Sequence, residues 1–263
     1  MNIQLFIDYI KYYLSSSNGK GHGVHSPFVF DFITNVLNNK KHYYTYDQVE
    51  ALRQKLAEDR TTIEVEDLGA GSKHSSTNTR TIGSIARNAA KPPKFGKLLF
   101  RMVNQYQPAT ILEVGTSLGI TTFYLASANR SANVVTLEGA EGIAKKAVQH
   151  FDQLDLQNVR LVLGNFDTTL PKVLAAMDQL DFVFLDGNHR LAPTLNYFNQ
   201  VLPRMSTQSI IVVDDIYWSA EMKEAWRQIK SHNSVMLSID LFSIGILFFN
   251  PSFKVRQDFA IRF

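Results

Sequence analysis

Residues 110–119, Thr-Ile-Leu-Glu-Val-Gly-Thr-Ser-Leu-Gly, place a short apolar segment directly before a glycine loop. The segment Thr110–Val114 predicts a buried β-strand, and the apolar residues after Gly119 predict a helix. Glycine lets the backbone turn sharply and approach a ligand, so this order predicts a nucleotide-binding unit. A second strand, Asn133–Glu138, ends in an acid at the distance from the loop that suits binding of ribose hydroxyls.

A second glycine-containing segment, Asp67–Ser72, competes for the same role and follows the strand-like residues Thr62–Val65. Residues 73–78 are polar and have no apolar helical face, and no strand that ends in an acid follows them. We therefore predict that this segment is a loop and that Gly115–Gly119 is the cofactor site.

The chain from residue 106 to 263 alternates apolar strands with amphipathic helices, which is typical of βαβ units. The predicted strands are Thr110–Val114, Asn133–Glu138, Val159–Gly164, Asp181–Asp186, Ser209–Asp214, Val235–Leu241 and Gly245–Asn250. Helices are predicted near Gly119–Ala128, Ala140–Leu154, Leu191–Leu202 and Ala220–Lys230. The gap between the last two strands is too short for a crossover helix, so they are predicted to form an antiparallel hairpin.

Residues 1–105 are predicted to form an N-terminal helical cap and a lid loop, because apolar residues recur at helical spacing after Ile3 and after Pro27. The apolar faces of these helices are expected to be buried against another protein surface. We expect them to pack on the rest of the chain, and a second subunit in a homodimer is the alternative.

The composition excludes several classes of protein. Lys and Arg exceed Asp and Glu by only 27 − 24 = 3, which argues against a strongly basic nucleic-acid coat protein. The absence of Cys excludes a disulfide scaffold, a thiolate zinc site and a cysteine nucleophile. Apolar runs are shorter than the roughly 20 residues that span a bilayer, and no signal-peptide pattern is present, so we expect no membrane partner and a cytoplasmic location.

The segments Glu113–Gly119, Leu137–Gly139 and Phe182–Asp186 together resemble the class I S-adenosylmethionine-dependent methyltransferases. The resemblance spans roughly residues 95–250. It implies an α/β fold with a Rossmann-like seven-stranded sheet, mostly parallel, and an antiparallel C-terminal hairpin. A nicotinamide dehydrogenase is the rival, but its loop is spaced Gly-x-Gly-x-x-Gly rather than the Gly-x-x-x-Gly found here.

Within that superfamily, Phe184–His189 followed by Val212–Asp215 is similar to O-methyltransferases of the catechol, caffeoyl-CoA and macrocin types. The resemblance places Glu113 near the amino-acid end of the cofactor and Glu138 at the ribose hydroxyls. Asn165 stands where the family usually has an Asp that faces the adenine amine, and it would meet that amine through its side-chain carbonyl. The other implied cofactor-binding residues are Gly115, Thr116, Ser117, Gly119, Thr121, Gly139, Phe166 and Asp186.

Three carboxylates follow two strands that are neighbours in the methyltransferase strand order: Asp186 after the fourth strand, and Asp214 and Asp215 at the fifth. Such carboxylates repel unless a cation or protons neutralise them, and oxygen ligands suit Mg²⁺ or another hard divalent cation. The sequence therefore predicts a metal site that lowers the pKa of a substrate hydroxyl. The alternative is that Asp214 or Asp215 caps the next helix and Asp186 contacts the cofactor without a metal.

Asp186 and His189 are the candidate catalytic residues. His189 is either a general base or a structural residue bonded to Asp214 or Asp215. Residues 68–112 carry seven basic residues and no acid, which indicates either a solvated face or an anion-binding lid.

The predicted activity is methyl transfer from S-adenosylmethionine to an oxygen of a small-molecule acceptor. If the basic stretch forms an anion-binding lid, the expected acceptor is anionic. An RNA or protein methyltransferase and a non-catalytic S-adenosylmethionine-binding module are the alternatives. Aromatic side chains are scarce among the basic residues, which argues against a nucleic-acid substrate.

Overall fold

The computed structural model describes residues 3–17, 19–21, 24–65, 79–88 and 90–263. Within these ranges the α-helices are α1 (Ile3–Ser15), α2 (Pro27–Phe32), α3 (Tyr44–Glu58), α4 (Ile82–Asn88), α5 (Pro93–Tyr106), α6 (Ile120–Ala128), α7 (Glu141–Gln153), α8 (Phe166–Ala175), α9 (Leu191–Val201) and α10 (Ala220–Lys230). The strands are β1 (Thr62–Glu64), β2 (Thr79–Thr81), β3 (Thr110–Val114), β4 (Asn133–Glu138), β5 (Val159–Leu163), β6 (Leu180–Leu185), β7 (Met205–Asp214), β8 (Leu237–Asp240), β9 (Ile244–Phe248) and β10 (Gln257–Ala260).

The chain divides into two compact units. The central unit is Lys41–Ala176, and the terminal unit combines Met1–Lys40 with Met177–Phe263. The predicted division of the sequence at residue 105 was drawn from its patterns and stays a prediction.

The central unit is built on three parallel strands, in which β4 pairs with β3 on one side and with β5 on the other. Five of the six β4 residues are buried, as expected for a parallel strand covered on both faces. Helix α6 is buried along most of its length and packs against α5 and α3. The polar loops that matter for function therefore emerge from a rigid apolar frame.

The terminal unit has the strand order β10-β8-β9-β7-β6. Strands β6 and β7 are parallel, whereas β9 runs antiparallel to both β7 and β8. Every residue of β8 and β9 is buried, which fixes the register of the hairpin. The α/β fold with a mostly parallel arrangement and an antiparallel C-terminal hairpin is therefore confirmed.

All seven predicted strands are present, and α8 and β10 are among the elements that the sequence did not predict. Helix α8 follows β5 and contains Pro171, which weakened its helical signal. Strand β10 pairs in parallel with β8 near the end of the chain, so the strands outnumber the seven predicted. Its four residues alternate too briefly to show a strand pattern.

Helix α1 buries the side opposite to the one that the sequence predicts. Asp8 and Tyr12 are its buried residues. Lys223 Nζ donates to Asp8 Oδ2 at 2.6 Å, and the Tyr12 hydroxyl donates to the carbonyl of Ile261. The apolar residues remain exposed, so the expected packing of this apolar face on the rest of the chain is wrong.

No helix among the described residues is long and apolar enough to cross a membrane.

Candidate cofactor loop and acidic cluster

The glycine loop after β3 is tied to the end of β4 through one backbone carbonyl. The amides of Gly115 and Thr116 both donate to Leu137 O at 3.0 Å. Gly115 has a φ of 106° and Gly119 a φ of 81°, and both values lie in the region that glycine adopts without strain. The spacing of the two glycines therefore reflects two backbone turns, as the sequence predicted.

Glu138 closes this loop from the other side. Its Oε2 accepts a hydrogen bond from the Ser117 amide at 2.8 Å, and its Oε1 accepts one from the Ala140 amide at 2.9 Å. Burial raises the pKa of this carboxyl, while the backbone donors act in the opposite direction. Each carboxylate oxygen has a further lone pair for a ribose hydroxyl. Glu138 thus holds the loop in place and retains acceptor capacity for a ligand.

Glu113 lies deeper and is fully buried. Its Oε2 accepts hydrogen bonds from Thr136 Oγ1 at 2.7 Å and from the hydroxyl of Thr122. The Thr116 hydroxyl contacts the Thr136 hydroxyl and lies 3.0 Å from Leu137 O. Glu113 therefore cross-links β3, β4 and α6 beneath the loop. Its predicted contact with the amino-acid end of the cofactor stays a prediction.

Helix α6 begins directly after the loop and has no side-chain cap at its N-terminus. The first amides of an uncapped helix carry a partial positive charge that attracts a carboxylate. Thr121 lies in this first turn and is buried. The helix start is therefore suited to an anionic group of a ligand.

Helix α7 braces the loop through two residues that sequence reasoning missed. His150 is buried, and its Nδ1 lies 2.9 Å from the carbonyl oxygen of Leu118. The ring of Phe151 packs so closely that a Cβ added to Gly119 would lie 2.6 Å from it. Their spacing on the buried face of α7 was the available signal, but that pattern does not distinguish core packing from support of a loop.

Asn165 and Phe166 stand at the start of α8. Asn165 is the N-cap of this helix, and its Oδ1 accepts a hydrogen bond from the Asp167 amide at 2.8 Å. The same oxygen has a second lone pair, so the cap does not prevent a contact with an adenine amine. Asn165 is exposed, Phe166 is half-buried and Gly139 is partly exposed. Their cofactor roles stay predictions.

The terminal unit brings together a cluster of charged side chains at the carboxyl ends of β6 and β7. The register pairs Leu185 with Val213, which places the next residues, Asp186 and Asp214, side by side. Asp186, His189 and Asp214 each offer one ligand atom, and these atoms lie within 4.8 Å of one another. We call these three residues the acidic cluster. The structure groups His189 with Asp186 and Asp214, which are two of the three aspartates that the sequence predicted as metal ligands.

The charges of the acidic cluster are strongly coupled. Asp214 is fully buried, and His189 Nε2 lies 3.4 Å from Asp186 Oδ1. Burial lowers the pKa of His189, but the bond to Asp186 and the charges of Asp186, Asp215 and Asp214 outweigh it and raise the pKa to about 9. Since buried carboxylates need a positive partner, the cluster fits either a protonated imidazole or a metal ion.

Asp215 is not part of the group of ligand atoms within 4.8 Å, although its charge acts on His189. It has a φ of 50°, and its carbonyl accepts a hydrogen bond from the Trp218 amide at 2.9 Å. The cap of α10 is Ser219, whose side chain accepts from the Met222 amide. The alternative in which Asp214 or Asp215 caps this helix is therefore wrong.

The loop after β6 has an unusual backbone. Asn188 has a φ of 66° and His189 a φ of 28°. Residues other than glycine rarely adopt this backbone region. Asn188 Nδ2 donates to the Tyr197 hydroxyl at 3.3 Å, and the Leu191 amide donates to Glu221 Oε2 at 2.9 Å. These bonds hold the turn that directs His189 back to Asp186.

The basic stretch is only partly a solvated face. Arg101 is buried, Arg87 donates to the carbonyl of Ala57, and Lys97 Nζ lies 5.1 Å from the ring centre of Tyr46. Burial lowers the pKa of Lys94. The competing glycine segment Asp67–Ser72 and the rest of the predicted lid up to residue 78 lie outside the described residues.

Comparison with known proteins identifies the fold. Residues 112–216, which contain both the loop and the acidic cluster, match a family model described as a methyltransferase domain. This part of the chain is similar to a methyltransferase domain. The predicted resemblance is confirmed, and the match favours it over the nicotinamide dehydrogenase.

Solved structures give the same fold at low sequence identity. An SAH-bound methyltransferase from Podospora anserina is 13% identical, with 86% of this chain and 97% of that chain covered and a TM-score of 0.60. An O-methyltransferase from Bacillus cereus in complex with SAH is 18% identical, covers 84% and 97%, and has a TM-score of 0.56. The tomaymycin-synthesis O-methyltransferase from Streptomyces achromogenes, in complex with SAM, is 16% identical, covers 80% and 91%, and has a TM-score of 0.55.

Proposed function

We propose that this methyltransferase moves a methyl group from S-adenosylmethionine to an oxygen of a small-molecule acceptor. The observation that carries the proposal is the loop of residues 115–119, locked to Glu138 through the Ser117 amide and followed by the uncapped start of α6. Its structural neighbours in complex with SAH or SAM support the choice of cofactor.

The central unit is the proposed cofactor site. Glu138 would accept hydrogen bonds from the ribose hydroxyls, and the start of α6, with Thr121, would hold the carboxylate of the cofactor. Gly115, Thr116, Ser117 and Gly119 would form the backbone that holds the cofactor. Asn165, Phe166 and Gly139 would hold the adenine. Asp186 is a further proposed contact.

The bound cofactor supplies an electrophilic methyl group on a sulfonium. In the reaction the acceptor oxygen forms a bond to the methyl carbon, the carbon–sulfur bond breaks, and sulfur keeps the electron pair. The acceptor hydroxyl must also lose its proton. The protein contributes mainly alignment of the three atoms and stabilisation of the deprotonated oxygen.

The acidic cluster is the proposed site for the acceptor hydroxyl. With its pKa raised to about 9, His189 is protonated at neutral pH and would act as a positive partner for the acceptor oxygen rather than as its base. Asp186 orients the imidazole from 3.4 Å. Asp186, Asp214 and neighbouring Asp215 carry the charge that a divalent cation needs, and a bound cation would acidify the hydroxyl.

The proposed acceptor is anionic, because the basic residues of α5 and the segment before it have no acidic neighbours in sequence between residues 68 and 112.

The reaction can be followed with S-adenosylmethionine carrying a ¹³C-methyl group and a panel of hydroxylated aromatic acceptors, with and without a carboxylate or phosphate. Each acceptor has an amine analogue as its matched control. We expect a new O-methyl resonance, stronger for the anionic members. Methyl transfer only to nitrogen, or only to added RNA or protein, would overturn the acceptor assignment.

We also propose a cytoplasmic homodimer in which a second copy covers helix α1. Seven of its apolar residues are 40–77% exposed: Ile3, Phe6, Ile7, Tyr9, Ile10, Tyr13 and Leu14. Lys11 is the one exposed charged residue of this helix. A nearly uncharged apolar surface can pack against the same surface of a second copy.

Light scattering should give twice the chain mass, and the variant with Phe6→Glu and Ile10→Glu should be a monomer. A monomeric unmodified protein would exclude the dimer.

A further inference from the structure

We propose that Tyr124 and Glu50 are positioning residues for the cofactor. Their hydrogen bond holds helix α6 in the place where its start can bind the carboxylate of the cofactor. This role rests on the proposed function, because it concerns S-adenosylmethionine binding by side chains outside the loop. Neither residue lies in the glycine loop or at the end of a strand, so no sequence motif points to them.

The start of α6 depends on contacts made further along the helix. Helix α6 begins directly after Gly119 and has no side-chain cap. Tyr124 lies four residues after Ile120, the first helical residue, which is about 6 Å along the axis. Within this turn the Phe123 amide donates to Gly119 O at 2.9 Å. A displacement of Tyr124 along the axis is therefore carried to the amides at the helix start.

The side chain of Tyr124 is fully buried and is held from two neighbouring helices. On α5, a Cβ added to Gly96 would lie 2.4 Å from a ring carbon of Tyr124. On α3, Glu50 Oε1 accepts a hydrogen bond from the Tyr124 hydroxyl at 2.7 Å. The ring therefore occupies a slot that the glycine of α5 leaves open, and its hydroxyl is tied to a carboxylate of α3.

Glu50 is a charged acceptor that Arg53 holds in place. Arg53 Nε lies 3.0 Å from Glu50 Oε2 and 3.3 Å from Oε1, and the two side chains are only 15% and 22% exposed. Burial and the bond to Glu50 raise the pKa of Tyr124 above its ordinary value, so the hydroxyl remains a donor at physiological pH. A hydrogen bond to a charged acceptor is stronger than one between neutral groups.

Thr122 ties the opposite side of α6. Its hydroxyl donates to Glu113 Oε2 on strand β3. Residues 122 and 124 are about 200° apart around the helix, so they face nearly opposite directions. One hydroxyl thus fixes α6 to β3, and the other fixes it to α3. Tyr124→Phe would still fill the slot but would remove the second tie.

The test is calorimetric titration of the full chain with SAH, well below the melting temperature of every variant, so that a loss of stability alone leaves the affinity unchanged. Tyr124→Phe should weaken SAH binding by about five- to tenfold, because the helix start is misplaced. Glu50→Gln keeps an acceptor oxygen for the hydroxyl and should weaken binding by less than about threefold. Tyr12→Phe is the matched control, since it removes a buried hydroxyl that donates to the carbonyl of Ile261 in the terminal unit, and it should leave SAH affinity unchanged.

Gly96→Ala tests the same role without a change to the hydroxyl. It pushes the ring out of its slot and should weaken SAH binding by about three- to tenfold. In a Tyr124→Leu background the ring is absent, so Gly96→Ala should add less than about a twofold loss. This pair also decides the question if Tyr124→Phe fails to fold.

Three results would overturn the proposal: an SAH affinity of Tyr124→Phe equal to that of the unmodified protein, equal losses in Tyr124→Phe and Tyr12→Phe, or an undiminished effect of Gly96→Ala in the Tyr124→Leu background. The unmodified protein separates this proposal from the proposed function. If it binds SAH and the variants bind equally well, the positioning role alone fails. If it does not bind SAH, the proposed function fails, and the positioning role fails with it.

Discussion

The cofactor loop and the acidic cluster show opposite physical designs. In the loop, the negative charge of Glu138 is met by backbone amides of Ser117 and Ala140, which belong to the same unit and are fixed by it. In the acidic cluster, Asp186 and Asp214 are placed side by side by the sheet, and His189, when protonated, is a positive partner 3.4 Å from Asp186.

This difference separates a preorganised site from one that responds to its surroundings. Backbone amides are permanent donors, so the groups that donate to Glu138 do not change with pH. The acidic cluster changes its charge with protonation of His189 or with binding of a cation. Substitutions that change the backbone shape of the loop should therefore reduce ligand binding. In the acidic cluster, the changes that matter should be changes of charge.

The largest effect on the loop is expected from Gly119→Val. The substitution forces a β-branched residue into a φ of 81° and drives its Cβ against Phe151. The two costs together should weaken SAH binding by at least about 100-fold. The measurement is calorimetric titration with SAH.

A double variant separates the steric contact with Phe151 from the backbone strain at residue 119. Gly119→Ala in a Phe151→Ala background removes the contact and leaves about 1–2 kcal/mol of strain, so affinity should recover in part. An unchanged SAH affinity in Gly119→Val would show that the loop is not the binding surface.

Glu138→Ala should have the next largest effect, since it removes both the loop contacts and the ribose acceptor. Loss of a charged hydrogen-bond partner corresponds to roughly 10- to 100-fold weaker SAH binding. Glu141→Ala is the control, because this exposed neighbour pairs only with Lys145 among the bonds seen here. Equal effects of the two substitutions would contradict the assignment.

His150 should show a smaller effect of the same kind, because it acts on the loop through the carbonyl of Leu118. His150→Phe removes the donor and should weaken SAH binding by about three- to tenfold. His150→Asn places an amide near the position of Nδ1 and should recover most of the affinity. A loss of melting temperature alone, with unchanged affinity in both variants, would make His150 a core residue.

The acidic cluster should show the smallest effect, and only as a dependence on pH. A histidine with a raised pKa stabilises the folded state fully below its ordinary value of about 6.5, and this stabilisation is lost as pH rises through about 9. With chelator present, the melting temperature should therefore fall by a few degrees between about pH 7 and 9.5. His189→Gln should flatten this fall, and an identical fall in both proteins would contradict the charge pairing.

The loop was predictable from sequence because its chemistry is local. The strand before Gly115, the positive φ positions and Glu138 all follow from spacing along one βαβ unit. His150 could not be recognised, because a histidine on a buried helix face has the same pattern whether it fills the core or supports a loop. Asn165 is the N-cap of α8 and is also a candidate adenine contact. The sequence motif does not distinguish these two roles.

The acidic cluster was predictable only in part, because it depends on register and on unusual backbone. Asp186 and Asp214 followed from strand ends, but the choice between Asp215 and His189 depends on turns whose φ values the sequence does not specify. The outward face of α1 was missed for a related reason. An apolar stripe predicts burial, whereas the ion pair of Asp8 with Lys223 buries the opposite side.

The central claim, that the loop and Glu138 bind S-adenosylmethionine, is tested most directly by calorimetric titration of the full chain with SAH, with NAD as the control. We expect SAH to bind with micromolar affinity and NAD to give no signal, and Glu138→Ala to abolish most of the SAH signal. Binding of NAD in place of SAH, or of neither nucleotide, would contradict the account.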